Sequence, residues 1–326
     1  MNTYDQLLKL KKLNSICLIG HVKPDPDAFC SMVALREFLL NEFNIPIVNI
    51  YAECNSIPED CKPILENIEL NAHMENYDCA IIMDAPTICR TGKYESLFNS
   101  APLKGVIDHH NTNELSLDIT IVEETSSTCE IIYSIFKYFN YNPPKETKGK
   151  LYAGLITDTN NFTVGKFGKR TYQMASDYVE DINYKNIYSH FLSKRNLKEM
   201  KALACTIQNI QTYYNNRIIY TFISDKEYAD LNLKDEDCVV IVNNLNTITE
   251  ADIICFVRPR DDGYYVSMRA KQGFNVADVA KANGGGGHIG AAGFQSTSSI
   301  SEICSQLIEE FKDQMSLKRR FDNKLF

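Results

Sequence analysis

The sequence lacks the features that mark secreted, membrane-spanning and zinc-ribbon proteins. Its eleven cysteines are scattered, with an odd total and no Cys-x-x-Cys pair, which favours reduced thiols over a disulfide framework. No apolar run approaches the roughly 18 residues that a membrane-spanning helix needs. Residues 1–14 contain no apolar signal core. We therefore expect a soluble, cytoplasmic protein.

The sequence also lacks an excess of positive charge. Its 34 Lys and Arg residues stand against 42 Asp and Glu residues, which leaves a formal net charge of −8. Proteins that bind long nucleic acids normally present a basic face to the phosphate backbone, so this class is disfavoured. A small anionic substrate held by a few local cations remains compatible with this balance.

The length predicts two domains, because 326 residues exceed the size of about 250 to 300 at which a single core stops growing. Short apolar strands alternate with helices in the first half, which predicts a doubly wound, mainly parallel sheet. We expect this domain over residues 1–190, a helical connector over 191–212 and a smaller α/β domain over 213–326. The second domain is predicted to contain a strand at 237–242 and a hairpin over 261–263.

The first distinctive stretch follows an apolar strand at 16–19. It places His21, Asp25 and Asp27 in a loop stiffened by two prolines. A helix follows, and Asp27 is its predicted N-cap. Oxygen ligands beside an imidazole suit divalent manganese, magnesium or zinc, and open α/β sheets bind ligands beyond the carboxyl ends of their strands. Taken alone, the pattern fits a helix cap and a polar turn equally well.

Further candidate ligands follow two other predicted strands and one helix. Because the carboxyl ends of parallel strands meet at one edge of a sheet, we expect these side chains to lie near those of the first loop. Each alone could begin an ordinary turn, but together they favour a metal site. The residues are Asp84, Asp108, His109, His110 and Asp158.

A second pattern lies near the other end of the chain, where the glycine run 284–287 precedes His288. By itself the run is typical of a flexible turn, and it is not a P-loop because no Lys-Ser or Lys-Thr follows. Residues without side chains also let backbone N–H groups face an anion, to which His288 would add a donor. Arg269, on the preceding predicted strand, suits bidentate phosphate binding. Arg258 is a weaker candidate because it lies beside a proline at a strand end.

These motifs, in this order, resemble the DHH phosphoesterase superfamily, and in particular its subgroup with an associated C-terminal domain. That subgroup includes bacterial oligoribonucleases (nanoRNases) that also act on 3′-phosphoadenosine 5′-phosphate. The resemblance covers residues 15–315 and implies an N-terminal DHH domain, a smaller α/β domain with a mixed sheet, and an active-site cleft between them. It also implies a homodimer.

The resemblance implies two Mn²⁺ ions, for which Mg²⁺ or Co²⁺ could substitute. The implied ligands are His21, Asp25 and Asp84 for one ion, and Asp27, Asp84, His109 and Asp158 for the other. A carboxylate-rich set without cysteine favours manganese over zinc. The implied catalytic residues are Asp84, His109, His110 and Asp108. Of these, Asp108 would orient a histidine, and His110 would contact the phosphate or protonate the leaving oxygen.

In the family the glycine-run region binds the phosphate end of the substrate. The residues that inherit this role are Arg269, Gly285, Gly286, Gly287, His288 and, more weakly, Arg258. The implied reaction hydrolyses phosphodiester or terminal phosphate bonds in 3′-phosphoadenosine 5′-phosphate and in oligonucleotides of about two to five nucleotides, for which a few local contacts suffice. The products are nucleoside monophosphates.

Two other functions remain open: a phosphodiesterase for linear or cyclic di-adenosine nucleotides, and a nucleotide-binding sensor without catalysis. Three departures from the family pattern bear on specificity. Pro26 and Asn160 stand where glycine is usual, and Thr163 stands where relatives often carry arginine. Asn is the best substitute if position 160 needs a positive φ. A processive exonuclease and a family II pyrophosphatase are disfavoured, the first by the acidic charge and the second by the glycine run.

Overall fold

The computed structural model describes residues 2–194 and 196–317. The chain divides into two compact units, Met1–Lys194 and Arg195–Phe326. Among the helices of the described residues, none has the length and apolar character needed to cross a membrane.

A five-stranded parallel sheet forms the centre of the first unit. Its strands are β1 (Ser15–Ile19), β2 (Ile47–Tyr51), β3 (Cys79–Met83), β4 (Leu103–Asp108) and β5 (Ile119–Val122). Their order in space is β2-β1-β3-β4-β5. Ile19 lies beside Tyr51 and Ile82, and Met83 beside Ile107, so neighbouring strands end at nearly the same level. The residues that follow these strands are therefore gathered at one edge.

Helices cover the sheet of the first unit. They are α1 (Pro26–Asn41), α2 (Glu95–Ser100), α3 (Thr128–Tyr138), α4 (Lys145–Asp158), α5 (Lys169–Val179) and α6 (Tyr184–Tyr188), with 3₁₀ turns at Thr3–Lys12, Lys62–Leu65 and Ile88–Tyr94 and a π-helical turn at Ser189–Ser193. Alternate strand residues face opposite sides. Ile16 and Leu18 pack in the core beneath α1, α3 and α4, whereas Cys17 and Ile19 pack in the core that contains Phe98 of α2.

A six-stranded mixed sheet forms the centre of the second unit. Its elements are α7 (Leu197–Gln208), β6 (Gln211–Tyr213), β7 (Ile218–Phe222), α8 (Asp225–Asp230), α9 (Asp235–Leu245), β8 (Ile253–Arg260), β9 (Gly263–Ala270), α10 (Val276–Ala282), β10 (Gly286–His288), β11 (Ala291–Ser296), α11 (Ile300–Glu310) and α12 (Lys312–Leu317). The strand order is β10-β11-β9-β8-β7-β6. Only β7 and β8 pair in parallel among these described strands. The predicted hairpin is confirmed, because β8 and β9 pair antiparallel with Arg260 opposite Gly263.

The predicted strand at 237–242 is wrong, because this segment lies in helix α9. Its β-branched residues suggested a strand, but the buried positions repeat at a spacing of three and four residues. They are Cys238, Ile241, Val242 and Leu245, which share a core with Ile219 of β7 and Ile254 of β8. Burial of one helical face against the sheet outweighs the strand preference of the individual residues.

Candidate metal centre

The His21 side chain lies at the end of β1 and is buried. Its Nδ1 is 2.9 Å from the carbonyl oxygen of Val22. Its Nε2 is 3.8 Å from a carboxylate oxygen of Asp25 and 3.8 Å from one of Asp84. A proton on Nδ1, donated to this carbonyl, would leave the Nε2 lone pair free to bind a metal ion beside the two carboxylates.

Asp25, rather than Asp27, caps α1. The Asp25 carboxylate accepts a hydrogen bond from the Ala28 N–H at 3.0 Å, which corrects the predicted cap. Pro26 is the first residue of the helix, where the missing N–H would have had no partner within the helix. The proline that departs from the family pattern is therefore well suited to its position.

The Asp27 carboxylate is instead held by the start of another helix. It is buried, and it accepts hydrogen bonds from the backbone N–H groups of Thr128 at 2.7 Å and Cys129 at 3.0 Å, in the first turn of α3. The exposed N–H groups and dipole of a helix N-terminus stabilise a negative charge. The start of α3 thus fixes a carboxylate of α1, about a hundred positions away in the sequence.

Asp84 lies between His21 and His109. It follows β3 with φ of 57°, in the left-handed region that few residues other than glycine adopt. Its Oδ1 is 3.4 Å from His109 Nε2 and accepts a hydrogen bond from the Thr128 hydroxyl at 2.8 Å. Its Oδ2 is the atom that lies near His21. One carboxylate thus presents an oxygen to each histidine.

His109 also contacts Asp158, the last residue of α4. Its Nε2 is 3.5 Å from Asp158 Oδ2, and its Nδ1 is 3.2 Å from the carbonyl oxygen of Thr125. The chain then turns sharply, and Asn160 has φ of 43°. Position 160 therefore has the positive φ at which asparagine is the best substitute for glycine.

His110 forms a separate pair with Asp108. Its Nδ1 donates to Asp108 Oδ1 at 2.7 Å, and the other oxygen of this buried carboxylate accepts from Asn113 at 2.8 Å. The hydrogen bond that His110 donates to Asp108 raises the pKa of His110, although burial opposes this. Nε2 of His110 remains available to a ligand.

The carboxylates of this centre repel one another at close range. Burial, followed by the charges of Asp84 and Asp158, raises the pKa of Asp27 well above its ordinary value. Burial and Asp25 raise the pKa of Asp84, and burial raises that of Asp158 to about 7. Buried anions need a compensating cation. This donor set fits a hard divalent metal ion.

Three overlapping groups of ligand atoms lie close enough together to bind metal ions. Within each group the atoms lie within 4.8 Å of one another. The groups are His21, Asp25 and Asp84; Asp27, His109 and Asp158; and Asp84, His109 and His110. The structure thus brings together the sequence-predicted candidates of the first unit.

Two contributors to the centre were missed by the sequence analysis. Thr128, which holds both Asp27 and Asp84, stands in a Ser/Thr-rich stretch whose only signal was a helix start. Arg90 lines the cavity of about 270 Å³ at the centre, together with Pro86 and the ligand side chains. An arginine six residues after a candidate ligand is not a recognisable local signal.

In the second unit, the glycine run leads into an edge strand rather than a flexible turn. His288 of β10 pairs with Ala291 of β11, which in turn pairs with Arg269 of β9. Residues in register across antiparallel strands point to the same face. His288 and Arg269 therefore lie on one face with a small residue between them, and His288 is exposed.

The glycines of this run permit a close approach between strands. A Cβ atom at Gly285 would collide with the Gly293 carbonyl oxygen. A Cβ atom at Gly287 would lie 2.5 Å from the Ala291 carbonyl oxygen. At Gly286 a Cβ atom would meet open space. Arg258, by contrast, is buried and forms an ion pair with Asp235, so its guanidinium is engaged within the unit.

Both units of this chain match domains of known protein families. Residues 15–157 match the DHH family, N-terminal domain, and residues 215–316 match the DHHA1 domain. The probable bifunctional oligoribonuclease and PAP phosphatase NrnA of Streptococcus mutans is 26% identical over 297 residues, which cover 90% of this chain and 93% of that protein. The bifunctional oligoribonuclease and PAP phosphatase NrnA of Bacillus subtilis is 25% identical, covering 86% and 88%.

A related activity is represented by the cyclic-di-AMP phosphodiesterase PdeA of Listeria monocytogenes, which is 25% identical over 90% of this chain and 47% of that protein. Among solved structures, an exopolyphosphatase-related protein from Bacteroides fragilis superposes with a TM-score of 0.82 at 23% identity, covering 96% of this chain and 97% of that one. This likeness confirms the predicted fold class. The predicted resemblance is also confirmed, because the chain carries a DHH family, N-terminal domain followed by a DHHA1 domain.

Proposed function

We propose that the protein hydrolyses phosphodiester or terminal phosphate bonds in short oligonucleotides and in 3′-phosphoadenosine 5′-phosphate, releasing nucleoside monophosphates. The observation that carries this proposal is a cluster of possible metal ligands, five of which line one small cavity. The five are His21, Asp25, Asp84, His109 and Asp158, and the buried Asp27 lies within 4.8 Å of His109 and Asp158 by its ligand atom. The names of the relatives from Streptococcus mutans and Bacillus subtilis support the substrate class.

We further propose that the cluster holds two Mn²⁺ ions, replaceable by Mg²⁺ or Co²⁺. His21, Asp25 and Asp84 would hold one, and Asp27, Asp84, His109 and Asp158 the other. Bound there, the ions would supply a Lewis acid for the phosphoryl oxygens and acidify the attacking water. A shared Asp84 is supported by its position, because its two oxygens face different histidines.

The protein's own side chains would orient the reaction. In hydrolysis the water oxygen bonds to phosphorus, the P–O ester bond breaks, and the leaving oxygen takes up a proton. His110 would supply that proton from Nε2, a role supported by the Asp108 carboxylate, which accepts a hydrogen bond from its Nδ1. Thr128 would hold Asp27 and Asp84 in place while the phosphate charge redistributes.

We propose that Arg269, His288 and the backbone of Gly285, Gly286 and Gly287 bind the phosphate end of the substrate. The register that places Arg269 and His288 on one face supports this role. Arg258 would contribute only if it released Asp235.

The eleven cysteines are all free thiols, which supports a reducing cytoplasm as the compartment.

The test is a substrate series with Mn²⁺. Purified protein receives 3′-phosphoadenosine 5′-phosphate, linear and cyclic di-adenosine nucleotides, and labelled RNA of about two, five and twenty-four nucleotides, lengths chosen to separate local contacts from backbone tracking. Fast turnover of the short RNAs and of 3′-phosphoadenosine 5′-phosphate, with slow attack on the long strand, supports the proposal. Equal rates at all lengths would contradict it.

The same series decides between the remaining alternatives. Preference for di-adenosine nucleotides alone would assign the protein to the related activity named for the Listeria monocytogenes relative. Binding of nucleotides without any turnover in the presence of Mn²⁺ would assign it as a sensor. The buried carboxylates disfavour the sensor, because a protein without catalysis has no need to keep them.

A further inference from the structure

Arg90 is the only lysine or arginine among the described residues that line the metal-centre cavity. It lies in the 3₁₀ turn after β3, six residues beyond Asp84. In the described part of the chain, Arg90 forms no ion pair with a carboxylate. A guanidinium beside several carboxylates but paired with none is available to a ligand.

The backbone that carries Arg90 is docked on the His21 loop. The Arg90 carbonyl oxygen accepts a hydrogen bond from the Val22 N–H at 2.7 Å. Gly92, two residues further on, has φ of 59°, and a Cβ atom there would collide with the Glu53 carboxylate. That carboxylate accepts a hydrogen bond from the Lys93 N–H. Contacts on both sides therefore hold the arginine at the cavity before any ligand arrives.

The contact between Arg90 and His21 occupies at most one N–H group of the guanidinium. Arg90 Nη2 is 3.4 Å from His21 Nδ1, a nitrogen that also lies 2.9 Å from the Val22 carbonyl oxygen. The Arg90 side chain is exposed, so its other N–H groups are open to an acceptor that enters from outside the protein.

The charges of the centre identify that acceptor. If two divalent ions are bound, as proposed above, their charge is balanced by the four carboxylates of Asp25, Asp27, Asp84 and Asp158. A phosphate group entering this balanced site brings a negative charge that the ligands do not offset. Arg90 is the lining cation that can offset it, and its planar fork matches two phosphate oxygens.

We propose that Arg90 binds the non-bridging oxygens of the phosphoryl group that is hydrolysed. It is a substrate-binding residue that stabilises charge on that group and does not hold metal. The inference rests on the proposed function for the identity of the full substrate. Its phosphate specificity can be tested independently, because inorganic phosphate should bind the Mn²⁺-loaded protein through the same contact.

The experiment compares wild type with Arg90→Ala, Arg90→Lys and Lys93→Ala. Lys93→Ala is the matched control, because this substitution removes a cation from the same segment at a position that does not line the cavity. Each protein is loaded with Mn²⁺, and its metal content is measured. Inorganic phosphate binding is then measured by calorimetry, and kcat and KM are measured for 3′-phosphoadenosine 5′-phosphate and bis-p-nitrophenyl phosphate.

We expect Arg90→Ala to weaken phosphate binding about tenfold or more and to lower kcat/KM about 100-fold, with unchanged metal content. Arg90→Lys should recover part of both losses, and free guanidinium should partly restore Arg90→Ala. Lys93→Ala should match wild type. Loss of metal from Arg90→Ala, or phosphate binding equal to that of wild type, would overturn the inference. Absence of oligonucleotide turnover in wild type, with phosphate binding still dependent on Arg90, would instead refute only the proposed function.

Discussion

At the scale of single residues, Asp84 is the most constrained ligand of the metal centre. It is buried, adopts a positive φ and faces both His21 and His109. Asp tolerates the left-handed region better than most residues. A site that accepts this backbone conformation and a buried charge together is typical of functional positions.

We predict opposite effects of Asp84→Asn on activity and on stability. Turnover should fall by roughly 10³-fold, because an amide cannot supply two anionic oxygens. The metal-free protein should gain about 1 kcal/mol in unfolding free energy, because one of several mutually repelling buried charges is removed. Mn²⁺-dependent hydrolysis and urea unfolding without metal measure the two effects. Asp262→Asn, at an exposed turn, is the control, and substantial turnover by Asp84→Asn would refute a shared ligand.

Thr128 is predicted to support metal binding through its hydroxyl. Thr128→Val removes the donor to Asp84 while preserving the shape of the side chain, and Thr128→Ser keeps the donor. We expect Mn²⁺ affinity to fall about 10- to 100-fold in Thr128→Val and to change little in Thr128→Ser. Calorimetric titration with Mn²⁺ checks this. Equal affinities in the two variants would show that the hydroxyl has no part in orienting Asp84.

At the scale of elements, α4 approaches α1 and α3 through Gly154. A Cβ atom at Gly154 would collide with the Cys129 sulfur and lie 2.9 Å from Asp27 Oδ1. Both neighbours are buried and have little room to move. The glycine therefore sets the position of a proposed metal ligand through helix packing alone.

Two glycines of the same helix provide a matched test. Gly149→Ala meets its nearest atom at 3.6 Å and should stabilise the protein by about 0.5–1 kcal/mol, the ordinary gain of alanine over glycine in a helix. Gly154→Ala should destabilise it and weaken Mn²⁺ binding, because Asp27 must shift. Thermal unfolding and Mn²⁺ titration of both variants are the measurements. A stabilised Gly154→Ala protein with normal metal affinity would contradict this account.

The start of α3 is joined to α5 by an ion pair whose carboxylate is buried and whose arginine is partly exposed. Ser127 caps α3 by accepting from the Glu130 N–H at 3.1 Å. The Ser127 and Glu130 spacing is that of a capping box, but the Glu130 carboxylate does not complete it. Instead it accepts from Arg170 Nε at 2.7 Å and from the Thr171 hydroxyl at 2.7 Å. The acid thus links two helices rather than closing one.

This pair predicts a pH-dependent contribution to stability. Burial alone would raise the pKa of Glu130, but hydrogen bonds from Arg170 and neighbouring hydroxyls lower it below its ordinary value. A lowered folded-state pKa stabilises the protein above the unfolded pKa, about 4.3, and this stability is lost as the pH falls through the folded value. Glu130→Gln should therefore cost about 2 kcal/mol at pH 7, and the deficit should narrow at about pH 4 and below.

Urea unfolding of wild type and Glu130→Gln over this pH range checks the prediction. Glu124→Gln is the control, because Glu124 pairs with Lys166 on the surface and should change stability by less than about 0.5 kcal/mol. A deficit that stayed constant with pH would mean that shape, rather than charge, makes Glu130 important.

At the scale of the whole molecule, the two units are predicted to have separable kinetic roles. Arg269→Ala and His288→Ala should each raise KM for 3′-phosphoadenosine 5′-phosphate about tenfold with little change in kcat or Mn²⁺ content, because they remove binding common to the ground and transition states. Lys281→Ala, an exposed cation of the same unit, should leave both constants unchanged. A large fall in kcat for Arg269→Ala would place Arg269 in the chemical step instead.

The homodimer implied by the family resemblance stays a prediction.

The sequence by itself determined the parallel sheet and the ligand candidates, because both depend on local patterns. An apolar run marks a buried strand, and the polar residue after it lies at the carboxyl edge whatever the rest of the fold does. His21, Asp84 and His109 could be found in this way. The predicted strand at 237–242 was wrong because a short run of β-branched residues does not reveal which of its faces will be buried.

Only the tertiary structure decided which groups hold those ligands in place. The Asp27 carboxylate meets backbone N–H groups about a hundred positions away, and the Asp84 carboxylate meets a hydroxyl 44 positions away. Gly154 is required because two helices and a ligand converge on it, and Arg90 reaches the cavity because its turn is docked on the His21 loop. Such contacts join segments distant in the chain, and no local pattern specifies them until the hydrophobic core has brought the helices and loops together.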